Sequence, residues 1–115
     1  MSIEEIVKLI EGEIVVGNAE GDYEITHAFT SDLMSDVLTI DSKEGIVLLT
    51  GLANIQTIRT AEMANLNLVL LVRGKKANDD MIDIAKENDI TIIESKYSAF
   101  RASAVLFNAG IKSLF

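Results

Sequence analysis

Three short stretches carry the residue types from which a binding site can be built: Thr50-Gly51-Leu52-Ala53-Asn54, Arg73-Gly74 and Glu94-Ser95-Lys96-Tyr97. In the first, Thr50 and Gly51 lead to Asn54, a good helix cap. The free backbone N–H groups of a helix start there can hold a phosphate or carboxylate. Arg73 can add a charge-assisted contact. Ser95 and Tyr97, with Glu94, can ring a pocket. Such chemistry is recognition of a small anion and breaks no bond. A simpler account also fits these residues. Thr50 and Asn54 then satisfy a turn and a helix start, Gly51 fits a tight bend, Ser95 and Ser98 are turn and cap residues, and Tyr97 packs on the rim.

Catalytic patterns are missing. No Gly-rich run ends in Gly-Lys-Ser/Thr, and no nucleophile elbow is present. A receiver domain needs an acceptor Asp at a strand end, where this chain has Thr50-Gly51. Ser98 sits at a helix start, as the phosphorylatable serine of an anti-sigma-antagonist domain does, but its surroundings do not match that pattern. The chain has no cysteine, which excludes disulfides and thiolate sites, and its single histidine argues against histidine-rich zinc. His27, in an expected strand, has no partner visible in sequence. It is either a pH-responsive base or a structural or surface residue. Asp79-Asp80 either coordinates a hard cation or complements a helix dipole. No metal and no cofactor is expected.

At 115 residues the chain is expected to be one domain, 1–115. With 49% hydrophobic residues and a mean hydropathy of +0.29, it is apolar for its size, which suggests surface shared with another chain. Eighteen acidic against ten basic residues give a net charge of -8, and the only basic doublet is Lys75-Lys76. Duplex nucleic acid needs clustered Lys and Arg, so no nucleic acid is expected. No apolar run has the length of a membrane span. The acidic, amphipathic start is unlike a secretory signal, so a soluble cytoplasmic protein is the expectation.

The elements that must position these residues are organised around Gly45 to Gly74. Ile46-Val47-Leu48-Leu49 and Leu68-Val69-Leu70-Leu71-Val72 are apolar at every position, as strands covered on both faces are. Between them Ile55, Ile58 and Met63 recur on one side of a helix, with Gln56, Arg59 and Glu62 on the other. Strand, helix, strand implies a parallel pair with a helical crossover. Ser2-Ile3-Glu4-Glu5 has capping-box spacing and opens a helix with a stripe of Ile3, Ile6, Val7 and Ile10, for which Gly12 is a plausible stop. Glu13 to Val16 is a short strand ending at Gly17-Asn18, and a turn through Gly21 follows. Tyr23 to Thr30 alternates only partly and suits an edge strand. A short helix spans about Asp32 to Leu38, with cap chemistry in Thr30-Ser31-Asp32. Asp41 to Gly45 is a polar loop. Asn78 caps a further helix whose Met81, Ile82, Ile84 and Ala85 face inward. Ile90 to Ile93 is the last strand. Ser98 caps a final helix with Phe100, Ala104, Phe107 and Ile111 at helical spacing, apolar on much of its circumference. The Phe100/Phe107/Ile111 stripe is core or a dimer interface.

The order of these elements, with the junctions Gly12-Glu13-Ile14-Val15-Val16-Gly17, Ile46-Val47-Leu48-Leu49-Thr50-Gly51, Leu70-Leu71-Val72-Arg73-Gly74 and Ile92-Ile93-Glu94-Ser95-Lys96-Tyr97-Ser98-Ala99-Phe100, resembles the DRTGG domain family over nearly the whole chain. The chain departs from it in having Leu52-Ala53-Asn54 where the family often carries Asp-Arg after Thr-Gly, and Arg73 rather than Thr before Gly74. The resemblance implies a three-layer α/β/α domain with a mixed, mostly parallel sheet, similar to the N-terminal domain of HPr kinase/phosphorylase. It also implies a regulatory or accessory module without chemistry of its own, and a homodimer.

Two functional classes follow. One is a non-catalytic regulatory module binding a small anionic ligand, such as a nucleotide, or a partner protein, through Thr50, Gly51, Asn54, Arg73, Gly74, Ser95 and Tyr97. The other is a ligand-free dimeric scaffold or interaction domain, favoured by the apolar final helix and Leu114-Phe115.

Overall fold

Four of the helices begin at side chains suited to hold them. In the computed structural model, which describes residues 1–20, 23–40 and 45–115, Ser2 caps α1 (Ile3–Leu9) in a full capping box with Glu5. Asn54, Asn78 and Ser98 accept from the backbone N–H three residues on, opening α3 (Ile55–Met63), α4 (Asp79–Glu87) and α5 (Ala99–Asn108). Such a cap stabilises a helix by about 1 kcal/mol. The same four helices end alike. Glu11, Asn65, Asp89 and Gly110 take positive φ (48°, 57°, 54° and 110°), and the N–H of the next residue reaches back to the last turn. After α1 it is therefore Glu11, not Gly12, that takes the left-handed position. The turn expected at Gly21 and the loop Asp41 to Glu44 lie outside the described residues.

The strands are β1 (Glu13–Val16), β2 (His27–Thr30), β3 (Ile46–Thr50), β4 (Leu68–Leu71), β5 (Thr91–Glu94) and β6 (Lys112–Ser113), in the sheet order β1-β5-β4-β3-β2-β6. All neighbours are parallel except β1, which runs antiparallel to β5 with a bulge between Ile14 and Val16. The sheet is thus mixed and mostly parallel. From β2 to β5 each crossover steps in one direction, so right-handed connections put α2 (Met34–Val37), α3 and α4 on one face. After β5 the chain turns back through α5 to β6, and the same handedness puts α5 on the other face, beside α1.

Strand side chains alternate between the two cores. Ile46, Leu48, Val69, Leu71 and Ile92 pack with Val37, Ile58, Ala61, Met81 and Ala85. Val47, Leu49, Leu68, Leu70 and Ile93 pack with Ile3, Ile6, Ile10, Ala102, Leu106 and Ile111. This explains the uninterrupted apolar runs: every position is inside. Truncating Leu48 or Leu70, both fully buried, is expected to cost about 2–5 kcal/mol.

Several expected details are corrected. The second strand is only His27–Thr30, because the Ile25 N–H is taken by the Met1 carbonyl and the Thr26 N–H by the Gly45 carbonyl, off the regular ladder. The short helix is Met34–Val37 and has no side-chain cap at Leu33. In α3 the buried face is Thr57, Ile58, Thr60 and Ala61, and Met63 is exposed, since five residues from Ile58 carry it well round the helix. Strand β6 follows the one read as last. Phe100 and Phe107 face outward, at 85% and 66% exposure, while Ala102, Leu106 and Ile111 form the buried side of the final segment.

Candidate functional site

Because β3, β4 and β5 are parallel, their exits share one edge, and backbone bonds tie them together. The Val72 N–H donates to the Thr50 carbonyl at 3.0 Å, and the Ser95 N–H to the Leu71 carbonyl at 2.9 Å. The Arg73 and Gly74 N–H groups donate to the Tyr97 and Ser95 carbonyls at 2.7 and 2.9 Å. Thr50, Arg73, Gly74, Ser95 and Tyr97 therefore lie along one rim. Asn54 begins the helix that leaves it.

The exit of β4 leads to α4 on one face, and that of β5 leads to α5 on the opposite face. Adjacent parallel strands whose exits diverge in this way form a topological switch, where ligands of open α/β sheets bind. Arg73-Gly74 and Ser95-Tyr97 flank it. Val72 to Lys75 is a tight turn closed by the Lys75 N–H on the Val72 carbonyl, with φ of +57° at Arg73 and +71° at Gly74. Positive φ at both central residues marks a type I′ turn, for which Asn-Gly or Gly-Gly is the easy sequence. Arg73 holds this backbone against a cost of about 1–2 kcal/mol, with its side chain exposed.

Each expected site residue has a definite place. The Thr50 hydroxyl, fully buried, donates to Asp32 Oδ1 and accepts the Leu52 N–H. The Gly51 N–H donates to the same Asp32 oxygen at 2.7 Å. A carboxylate of the protein thus already occupies the Thr50 hydroxyl and the Gly51 N–H. Asn54 is engaged as a cap at 3.1 Å to the Thr57 N–H. The buried Ser95 hydroxyl donates to the Ile10 carbonyl at 2.7 Å and accepts the Tyr97 N–H. Tyr97 donates to Glu11 Oε2 at 3.1 Å, and the Arg101 guanidinium lies 3.9 Å from the centre of its ring. His27 Nδ1 is 2.8 Å from the hydroxyl of its neighbour Thr26. Asp79 and Asp80 are exposed in the first turn of α4.

Residues beyond the seven expected also shape this rim. Glu94, which the sequence places beside Ser95 and Tyr97, is buried at 8% exposure, accepts the Ala77 N–H at 2.8 Å and pairs with Lys76 Nζ at 3.2 Å, tying the β4–α4 loop to β5. Lys75 and Lys96 flank the switch, and with Arg73 and Arg101 they make no ion pair among the described residues. Asp32, read as cap chemistry, instead locks the β3 exit. Glu94, Asp32 and the doublet Lys75-Lys76 are visible in the sequence, but the partners they take here are not. Among the described residues no cluster of three or more His, Asp or Glu side chains could hold a metal ion, and no helix is long and apolar enough to cross a membrane.

A groove of about 510 Å³ lies apart from the switch. Phe29 and Thr30 of β2, Phe100, Ala104 and Phe107 of α5, and Phe115 line it, and none of the seven expected site residues does.

No family model and no curated protein matches the sequence. Among solved structures, the chain is similar to the CBS and DRTGG domains of the regulatory region of a Clostridium perfringens pyrophosphatase, complexed with its activator diadenosine tetraphosphate. The TM-score is 0.76 at 20% identity, over 91% of this chain and 45% of that one. The chain spans less than half of that structure. At this identity the likeness shows the fold alone: an α/β/α arrangement like that of the DRTGG-containing structure.

Proposed function

We propose that residues 1–115 form a single DRTGG-like regulatory domain without catalytic chemistry, which binds a small anionic ligand, such as a nucleotide, at the β4–β5 switch. The observation that supports this reading is the divergence of the two exits, with Arg73, Gly74, Ser95 and Tyr97 joined by backbone bonds along the edge where they part. The cations Arg73, Lys75 and Lys96 favour an anion there, in a chain whose net charge is -8. Arg73 and Lys96 supply the charge. Gly74 lets a ligand approach the turn closely, since no atom stands within 4 Å of where a Cβ would be. Thr50, Gly51 and Asn54 hold the neighbouring exit in shape, and Ser95 holds the crevice floor. The similar regulatory region is complexed with a dinucleotide polyphosphate, which supports a nucleotide as the ligand class. The acidic balance, with no cluster of Lys and Arg, supports a domain that does not engage nucleic acid.

Thermal-shift and calorimetric titration with ATP, ADP and acetyl phosphate tests this. Binding that weakens on Arg73→Ala and with rising salt is the expected result. No binding of any of the three at about millimolar concentration, an affinity of roughly 4 kcal/mol, overturns it.

A second reading is supported by the exposure of Phe100, Phe107 and Phe115: the chain self-associates into a homodimer, with or without a ligand.

A further inference from the structure

The outer face of α5 reads the same from either end. Phe100, Ser103, Ala104 and Phe107 lie on one stripe, large-small-small-large, symmetric about the point between Ser103 and Ala104. Phe100 and Phe107 are 85% and 66% exposed, and Ala104 between them is exposed too. The Ser103 hydroxyl is turned aside to Thr30 Oγ1 at 2.8 Å, which pins the helix to the end of β2 and leaves the middle of the stripe shallow.

A two-fold interface uses one patch twice, so the patch must complement itself. We infer that two copies of this chain pair through α5, with the helices antiparallel and crossing at Ser103 and Ala104. Small residues at the crossing let the axes approach to about 8 Å. Phe100 then meets the partner subunit's Phe107, and Phe107 meets the partner subunit's Phe100. The groove beside the stripe, walled by Phe29 and by Phe115 stacked edge-on at 5.5 Å, receives the paired rings. This rests on the self-association reading above and specifies its geometry.

Charge selects the same face. All 18 acidic residues lie in 1–94, and residues 95–115 have none. Two copies of net charge -8 repel overall, and a seam on α5 brings no carboxylate of the helix itself against its partner. The Arg101 guanidinium is drawn from the seam onto the ring of Tyr97. Phe100, Phe107 and Phe115 supply roughly 400 Å² per copy, so two copies bring about 800 Å², and Ala104, Asn108, Lys112 and their surroundings must supply the rest of the about 1,200 Å² at the lower end of a standard interface.

The chain lacks cysteine, so a single introduced thiol reports its own neighbourhood. Light scattering and sedimentation at about 100 μM should give a dimer, weakened by about 30-fold or more in Phe107→Glu and in Phe100→Glu, each with unchanged circular dichroism. Ala104→Cys should form a disulfide-linked dimer on mild oxidation, and Glu62→Cys, on the opposite layer, should not. A monomer at this concentration overturns both the inference and the self-association reading. A dimer that survives Phe107→Glu and gives no Ala104→Cys cross-link overturns the α5 geometry alone.

Discussion

Asp32 Oδ1 accepts both the Thr50 hydroxyl, at 2.9 Å, and the Gly51 N–H, at 2.7 Å. One exposed carboxylate at the end of β2 thereby fixes the exit of β3. Asp32→Ala leaves the buried Thr50 hydroxyl without its acceptor, and is expected to lower stability by about 1–3 kcal/mol. Asp32→Asn keeps an acceptor oxygen and should lose less. Urea unfolding measures both. Nucleotide affinity should not fall in either variant, because Asp32 serves the β3 exit and not the β4–β5 crevice.

Arg73 separates affinity from stability. Arg73→Ala keeps the left-handed backbone, so its unfolding free energy should stay within about 0.5 kcal/mol, while anion binding weakens. Arg73→Gly relieves the turn and should raise stability by up to about 1 kcal/mol with the same loss of binding. If Arg73→Ala unfolds the domain, the side chain has a structural role that its exposure does not suggest.

Ser95 is expected to behave as a structural residue. Its buried hydroxyl joins the Ile10 carbonyl at the end of α1 to the Tyr97 N–H of the β5 exit. Ser95→Ala strands both groups and should cost about 1–3 kcal/mol in denaturant unfolding. Faster amide exchange at Tyr97, with Thr91 to Ile93 still protected, would mark the damage as local to the rim.

Gly45 is a backbone position that leaves no room for a side chain. It has φ +84°, a Cβ there would lie 2.5 Å from the Glu24 carbonyl oxygen, and its own carbonyl accepts the Thr26 and His27 N–H groups. Gly45→Ala should lower stability by about 2 kcal/mol or more, read as a shift in urea midpoint at unchanged slope.

Local signals in the chain predicted the local structure well. Ser2, Asn54, Asn78 and Ser98 each cap the helix they precede, because a cap needs only a side chain and a backbone three residues away. The runs at Ile46 and Leu68 identified buried parallel strands for an equally local reason. What stayed hidden depends on distant partners. Asp32 faces Thr50 across two strands, Glu94 reaches the Ala77 N–H, and Lys112–Ser113 becomes a strand only because His27 and Ala28 lie beside it. Period alone also did not fix which side of the last helix is buried. Phe100 and Ala102 are both apolar, and the smaller one faces the sheet. The shared rim of Thr50, Arg73 and Ser95 was legible once the strands were taken as parallel. That two of its exits diverge was not, since this depends on which face α5 covers.

The left-handed closures after α3 and α4 sit where β4 and β5 begin, at the far side of the sheet from Arg73 and Lys96. Leu66 and Ile90, which follow them, are buried. The two ends of the sheet therefore differ: one carries the helix closures, the other the exposed cations. Exchanges among those cations can change the charge of their edge while the closures, and with them the capacity to fold, are left alone.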